Sequence, residues 1–130
     1  MSENPTPSHI KLAIVGSRNY TNYPQFSTFI QSTLSLWSIT PSNLIEIVSG
    51  GAQGADLMAE KWAREHKIPI KIFKPDWNKW GKSAGPLRNQ QIIEYATHVI
   101  AFPSKDGRGT QDSIARAKRL NRPLCEFTID

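Results

Sequence analysis

Five short aliphatic runs alternate with helical patterns along this chain, and this alternation limits the fold more than any other feature. The runs cover residues 10–15, 44–48, 70–73, 98–102 and 124–127. Apolar residues predominate in each run, which is typical of strands that are buried on both faces of a parallel sheet. Because crossovers between parallel strands are right-handed, the pattern predicts an α/β fold, a doubly wound three-layer sandwich with about five parallel strands.

Apolar side chains three and four positions apart predict the intervening helices. The first helix opens at Asn22-Tyr23-Pro24, where proline suits the first turn. The predicted helices cover about 24–37, 55–63, 86–96 and 110–121. A loop over residues 74–85 precedes the third of them. Residues 1–9 are polar and predict a frayed tail, so residues 10–130 are expected to form one domain.

Length and composition exclude several classes of protein. A chain of 130 residues with 38% hydrophobic residues has room for one globular domain with a core. The single cysteine, Cys125, excludes an internal disulfide framework. No apolar run approaches the roughly 20 residues of a membrane-spanning helix. We therefore expect a cytoplasmic protein that does not contact a membrane.

The glycines occur only in the loops that lead from a predicted strand to the next helix. All eight glycines follow strands, and the helix-to-strand connections contain none. In an open parallel sheet these strand-to-helix loops lie at the carboxyl edge, where ligands bind. Glycine allows a ligand to approach backbone amides, and free N–H groups at a helix N-terminus favour an anion. Tight turns alone also require glycine, but the four loops together predict a phosphate-binding edge.

The positive charge is concentrated in one segment. The chain has a formal net charge of +5, yet residues 71–122 contain eleven Lys or Arg and four Asp or Glu, a net charge of +7. Such a segment suits either a polyanion or a phosphorylated small molecule.

Common cofactor motifs are absent from the sequence. The segment Gly50-Gly51-Ala52-Gln53-Gly54 lacks the Gly-Lys-Ser/Thr ending of a P-loop. It follows the second strand, and no acidic residue ends the next strand to hold a ribose, so nicotinamide chemistry is not expected. No His, Cys or Asp residues have zinc spacing. We therefore expect no metal and no required cofactor.

The strand-to-helix loops, taken in order, resemble the SLOG superfamily, and within it the YspA/YpsA-related group. The resemblance covers about residues 10–127. It is carried by Gly16-Ser17-Arg18, Ser49-Gly50-Gly51-Ala52-Gln53-Gly54-Ala55-Asp56, Phe73-Lys74-Pro75-Asp76-Trp77, Gly85-Pro86-Leu87-Arg88-Asn89 and Arg108-Gly109-Thr110-Gln111-Asp112. The resemblance implies a Rossmann-like fold that binds nucleotides or nucleotide-derived ligands.

Different branches of the superfamily imply different activities. LOG enzymes are phosphoribohydrolases that split a nucleoside monophosphate into base and ribose phosphate. Other SLOG domains sense NAD-derived or ADP-ribose-like signals, and the DprA branch binds single-stranded DNA. Relatives often dimerise, so the resemblance also allows a homo-oligomer.

The resemblance to LOG enzymes implies catalytic roles for two residues. Arg88 matches their catalytic arginine. Their glutamate, three residues after the loop threonine, is replaced here by Ser113, and the nearest carboxylate is Asp112. One position on a helix turns a side chain by roughly 100°. This departure argues against LOG hydrolysis but leaves phosphate binding by the loop intact.

A wider set of residues is predicted to bind the ligand. Arg18 and Arg88 suit bidentate phosphate binding. Trp77 could stack a base or seal its loop onto the sheet edge. Asp56 and Asp112 have an alternative explanation, since carboxylates are favoured in the first turn of a helix. The complete predicted set is Gly16, Ser17, Arg18, Ser49, Gly50, Gly51, Gly54, Asp56, Asp76, Trp77, Gly85, Arg88, Asn89, Gly107, Gly109 and Thr110.

Three functions follow, in order of preference. The first is binding of a nucleotide or ADP-ribose-like phosphorylated ligand at the carboxyl edge of the sheet, for sensing or sequestration. The second is N-glycosidase or phosphoribohydrolase activity on nucleoside monophosphates. The third is binding of single-stranded DNA, as in the DprA branch, which would need exposed aromatic side chains along a basic groove.

Overall fold

A computed structural model describes residues 9–129 of the chain. Apart from His9, the predicted N-terminal tail lies outside the described residues, and so does Asp130. Five strands form one parallel sheet in the order β3-β2-β1-β4-β5. Their bounds are β1 Ile10–Gly16, β2 Leu44–Ser49, β3 Ile70–Ile72, β4 His98–Phe102 and β5 Leu124–Glu126. The predicted fold class is confirmed.

Helices cover both faces of this sheet. They are α1 Tyr23–Leu36, α2 Ala55–Glu65, α3 Trp77–Trp80, α4 Ala84–Tyr95 and α5 Arg108–Arg119. Leu12 and Ile14 of β1 face the layer of α1 and α2, where Phe26 and Trp62 are buried. Ala13 of β1 faces the layer of α4 and α5. Successive strand residues point to opposite faces, so β1 contributes to two separate cores.

The register of β1 places it at the centre of the sheet. Ala13 pairs with Val48 of β2 on one side and with Val99 of β4 on the other. Both partners are completely buried. Leu12 to Val15 are all buried between apolar neighbours, which explains why this part of β1 is continuously apolar, whereas Lys11 near its start is only partly buried.

Local capping explains where two of the helices begin. The side chain of Asn22 accepts a hydrogen bond from the Gln25 amide at 3.2 Å, with Pro24 in the first turn of α1. The side chain of Asp76 accepts from the Lys79 amide at 3.1 Å at the start of α3. Each cap satisfies an amide that has no partner within its helix.

The predicted loop over residues 74–85 is wrong in detail. It contains α3 and a short 3₁₀ helix, Gly81–Ser83, and α4 begins at Ala84 rather than near Pro86. The capping role of Asp76 was not predicted from the sequence. The last helix begins at Arg108, two residues earlier than expected, so Gly109 lies in its first turn.

The strand order places a topological switch point between β1 and β4. From β1 the chain moves outward to β2 and β3, then crosses back to β4 and β5. The loops that follow β1 and β4 therefore diverge to opposite faces and leave a crevice at the carboxyl edge. Within residues 9–129, no helix is both long and apolar enough to span a membrane.

Candidate functional site

A cleft of about 340 Å³ lies at the switch point between β1 and β4. Its walls come from the loops after β1, β2 and β4 and from α4. We call this cleft the first lobe. It is lined by Val15, Gly16, Ser17, Arg18, Asn19, Gly50, Ala52, Asp56, Arg88, Asn89, Ile92, Ser104, Asp106, Gly107, Arg108, Gly109, Thr110 and Ser113.

The N-terminus of α5 forms one wall of the first lobe. Its cap residue, Gly107, has no side chain, and no side-chain hydrogen bond caps the helix. Within the described residues, the amides of Gly109 and Thr110 have no acceptor. A 12-residue helix with free amides at its start attracts an anion through its N–H groups and its dipole.

Arg88 of α4 lines the same cleft and is held there by two hydrogen bonds. Its Nη1 donates to the Gly50 carbonyl at 2.8 Å, and its Nε donates to Asn89 Oδ1 at 3.1 Å. Burial lowers the pKa of the Arg88 guanidinium, Asp56 raises it, and Arg18 lowers it again. A guanidinium nonetheless stays charged in proteins, so Arg88 supplies a fixed cation beside the cleft.

Asp56 both lines the first lobe and supports the loop after β2. It is only 8% exposed, and its Oδ2 accepts from the Ala52 amide at 3.1 Å. Burial raises the pKa of Asp56, and the Ala52 amide and Arg88 oppose that rise. The carboxylate therefore has a local structural role whether or not a ligand also reaches it.

A second lobe of about 530 Å³ adjoins the first. The two lobes share Arg18, Gly50, Ala52 and Arg88, so these residues lie at their junction. The second lobe is completed by Gly51, Gln53, Lys74, Pro75 and Trp77. Trp77 is 53% exposed. An aromatic ring beside cationic side chains could stack against a nucleobase.

Most of the predicted ligand-binding residues come together in these lobes. Gly16, Ser17, Asp56, Asn89, Gly107, Gly109 and Thr110 line the first lobe, Gly51 and Trp77 the second, and Arg18, Gly50 and Arg88 both. Their grouping follows from the topology, because all these loops leave the same edge of the sheet. Their roles in binding stay predictions.

Four predicted ligand-binding residues line neither lobe. The Ser49 hydroxyl is buried and accepts from the Gly51 amide at 3.2 Å. Gly54 lies against the carbonyls of Ser17 and Arg18, which leave no space for a Cβ. Asp76 caps α3. Gly85 lies under the Trp77 ring, where a Cβ would be 3.5 Å from its edge. These four positions have packing or capping roles.

Asp112, predicted to be catalytic, also lies outside both lobes. Its Oδ2 accepts from Asn89 Nδ2 at 3.0 Å and from Arg116 Nε at 2.9 Å. Burial would raise the pKa of Asp112, but the hydrogen bonds from Arg116 and Asn89 outweigh it and hold the pKa below its usual range. Its carboxylate therefore already accepts hydrogen bonds from two protein side chains.

Several residues of the lobes were not in the predicted ligand-binding set. Asn19, Ser104 and Asp106 line the first lobe, and Lys74 lines the second. Their position shortly after a strand could have predicted them, because every strand-to-helix loop lies at the carboxyl edge of the sheet. Among residues 9–129 there is no group of three or more His, Cys, Asp or Glu side chains that could hold a metal ion.

Comparison with known proteins identifies the family. The YspA, cpYpsA-related SLOG family matches residues 10–80. Gene 61 protein of Mycobacterium phage D29 is 32% identical over 94 residues, which are 68% of this chain and 74% of the phage protein. The chain is a member of this SLOG family. The resemblance seen in the sequence is confirmed. The matched range ends before Arg88 and α5, so part of the first lobe lies beyond it.

Two solved structures have the same fold. DNA processing protein A (DprA) from Streptococcus pneumoniae superposes with a TM-score of 0.71 at 18% identity, over 94% of this chain and 51% of that protein. DprA from Helicobacter pylori, whose structure concerns a single-stranded DNA binding mode, gives 0.66 at 22% identity, over 93% and 66%. This SLOG chain thus spans about half of one DprA and two thirds of the other.

Proposed function

We propose that this SLOG protein binds a nucleotide or an ADP-ribose-like phosphorylated ligand across the two lobes. One observation carries the proposal: the uncapped N-terminus of α5 and the guanidinium of Arg88 border the same cleft. Free amides, a helix dipole and a guanidinium all favour a phosphate over a neutral group. Arg18 borders the same cleft.

The two lobes also suggest how the ligand is oriented. Its phosphate would lie in the first lobe against residues 107–110, and its base in the second lobe against Trp77. The sugar would then pass the junction formed by Arg18 and Arg88. The second lobe is bordered by an exposed aromatic ring and Lys74, which suit a planar, electron-rich group.

Replacing Arg88 with alanine is expected to weaken binding of AMP and ADP-ribose at least tenfold. A hydrogen bond to a charged group is worth about 1.5–3 kcal/mol, and one bond in that range accounts for a tenfold change. The measurement is a thermal-shift titration, since a ligand at roughly 100 times its Kd stabilises the native state by about 2.7 kcal/mol.

The matched control for this experiment is Arg64→Ala, which removes an exposed arginine from the last turn of α2. It should bind both ligands as the unmodified protein does. Absence of any shift with AMP, ADP-ribose or cyclic ADP-ribose in the unmodified protein would contradict the proposed function. Equal losses in the two variants would show that only overall charge matters.

The phosphoribohydrolase alternative is less well supported. Hydrolysis of an N-glycosidic bond needs stabilisation of an oxocarbenium-like transition state, commonly by a carboxylate. Asp112 does not line either lobe, while Asp56 does and is held by the Ala52 amide. Chromatography of AMP incubated with the protein decides between the two functions: release of free adenine that is lost in Arg88→Ala favours hydrolysis.

Single-stranded DNA is a second candidate ligand, favoured by the surface of α3. Trp77 and Trp80 are 53% and 50% exposed, and Lys79 Nζ lies 5.0 Å from the centre of the Trp80 ring. Exposed aromatic rings among lysines suit stacked bases and a phosphate backbone. The DprA comparison is consistent with this candidate.

If DNA is the ligand, Trp80→Ala should weaken binding of a labelled oligonucleotide by roughly 1–3 kcal/mol, the usual contribution of one stacked base. Trp80 lines neither lobe, so the same variant should keep its affinity for AMP. Fluorescence anisotropy at several salt concentrations provides the measurement, because phosphate contacts make the affinity fall steeply with salt. Salt-independent or undetectable binding would remove DNA as a candidate.

A further inference from the structure

We infer that Asn89 is a positioning residue, which fixes Arg88 and the N-terminus of α5 at one separation so that both can hold the same phosphate. The inference rests on the proposed function and adds a specific requirement to it. The first lobe has two anion-binding walls, and they belong to two different helices, α4 and α5. The side chain of Asn89 joins them.

Both ends of the Asn89 amide are used. Its Oδ1 accepts from Arg88 Nε at 3.1 Å, while its Nδ2 donates to Asp112 Oδ2 at 3.0 Å and to the Gly109 carbonyl at 3.4 Å. The residue is only 8% exposed. An asparagine presents one acceptor and one donor group in this way, whereas a carboxylate is acceptor-only.

The Asp112 end of this chain of contacts is itself fixed. Asp112 Oδ2 accepts from Arg116 Nε at 2.9 Å, and Arg116 Nη1 donates to Gln90 Oε1 at 2.7 Å. Gln90 is the next residue of α4 after Asn89. Two adjacent residues of α4 are therefore bonded to one Asp–Arg pair of α5, which restricts sliding of one helix along the other.

This arrangement explains why Arg88 lies at the junction of the lobes rather than extending into solvent. Its Nε is occupied by Asn89 and its Nη1 by the Gly50 carbonyl. Because the same Asn89 amide contacts Gly109 of the α5 terminus, a shift of α5 would also disturb the guanidinium. We expect phosphate affinity to depend on this contact even though Asn89 itself carries no charge.

The test uses Asn89→Asp, with ADP-ribose as the probe. When ionised, the introduced carboxylate would face the Asp112 carboxylate across the contact that now measures 3.0 Å, and the two would repel each other. When protonated, the introduced group can again donate to Asp112 and accept from Arg88. The charged groups around this position are Arg88 of α4, Asp112, Arg116 and Arg119 of α5, Asp56 of α2 and Arg18 after β1.

Asn89→Asp should bind ADP-ribose at least tenfold more weakly than the unmodified protein at pH 7.5, and should recover part of that loss at pH 5, because a proton shared by the two facing carboxylates relieves their repulsion. The unmodified protein titrated at both pH values corrects for any change in the probe. Gln90→Glu is the matched control, because its carboxylate can still accept from Arg116 Nη1 and faces the exposed Glu94 carboxylate of the same helix rather than Asp112. It should show neither the loss nor the recovery at pH 5.

The exchange variant Asn89→Asp with Asp112→Asn guards against loss of folding. It leaves one carboxylate in the contact instead of two, and the amide introduced on α5 can donate to the carboxylate introduced on α4, although Arg116 Nε and the Gly109 carbonyl each lose a matched partner. We expect it to bind ADP-ribose at pH 7.5 at least threefold more tightly than Asn89→Asp, a change of roughly 0.7 kcal/mol. If Asn89 only stabilised the fold, a correctly folded Asn89→Asp variant would already bind normally, and the second substitution would not raise its affinity.

A measurement without ligand separates this inference from the proposed function. The Arg88 Nε–H resonance in a nitrogen-15 NMR spectrum, assigned by its disappearance in Arg88→Lys, should be protected from solvent exchange and lose protection in Asn89→Ala. Protection that persists in Asn89→Ala, or Asn89→Asp that binds normally at pH 7.5, would overturn the inference. If protection is lost as expected but no phosphorylated probe binds the unmodified protein, only the proposed function fails.

Discussion

Replacing Gly54 with alanine is expected to destabilise the protein by about 2–5 kcal/mol. Gly54 caps α2 with φ +72 and ψ −124, a conformation that L-residues with a Cβ rarely adopt. A left-handed φ costs roughly 1–2 kcal/mol, and overpacking adds roughly 1–3 kcal/mol. The added methyl group would also collide with the carbonyls of Ser17 and Arg18. Urea denaturation measures the change.

Gly81→Ala provides the control for this prediction. Gly81 also has a positive φ, +54, but no atom of residues 9–129 lies within 4 Å of the Cβ that alanine would add. It should therefore show the conformational cost without the collision. If the two variants were destabilised equally, the collision with the carbonyls of Ser17 and Arg18 would not contribute to the destabilisation of Gly54→Ala.

Gly109→Ala is expected to abolish most ligand binding while leaving the protein as stable as before or more stable. Gly109 lies in the first turn of α5 and lines the first lobe, and in the described part of the chain no atom lies within 4 Å of the position of an added Cβ. Alanine favours a helix over glycine by up to about 1 kcal/mol. However, its methyl group would enter the space that a phosphate needs to reach the amides of residues 109 and 110.

Isothermal titration with ADP-ribose, combined with urea denaturation, checks both halves of this prediction. The affinity should fall more than tenfold, and the denaturation midpoint should not fall. Gly81→Ala, which lines neither lobe, should keep the affinity of the unmodified protein. Normal binding by Gly109→Ala would show that the phosphate does not bind at the N-terminus of α5.

The architecture could be predicted because the relevant signals are local. A run such as Ile10–Val15 reports burial on both faces without knowledge of its neighbours, and each helix has its own periodicity. The starts of α4 and α5 were predicted two residues late, and neither helix has a side-chain hydrogen-bonded cap that marks its beginning. The short helix α3 was not predicted: Asp76, which caps it by accepting from the Lys79 amide, was considered as a ligand-binding carboxylate.

The candidate site could be predicted only to the level of its loops. Glycine at position 54 and glycine at position 109 look alike in sequence, yet one fills a tight contact between loops and the other borders an open cleft. The contact between Asn89 and Asp112 joins residues 23 positions apart. Such a contact depends on how α4 and α5 pack against each other, and a local sequence pattern does not predict that packing.

The two outermost strands of the sheet, β3 and β5, are only three residues long. An edge strand presents unpaired backbone groups to other chains, and short edges are one way in which proteins discourage such pairing. A second copy would therefore gain few hydrogen bonds by extending this sheet. If this SLOG protein self-associates, the short edge strands favour contact through helical faces. They disfavour a β-sheet that continues from one chain to the next, as in fibrous aggregates.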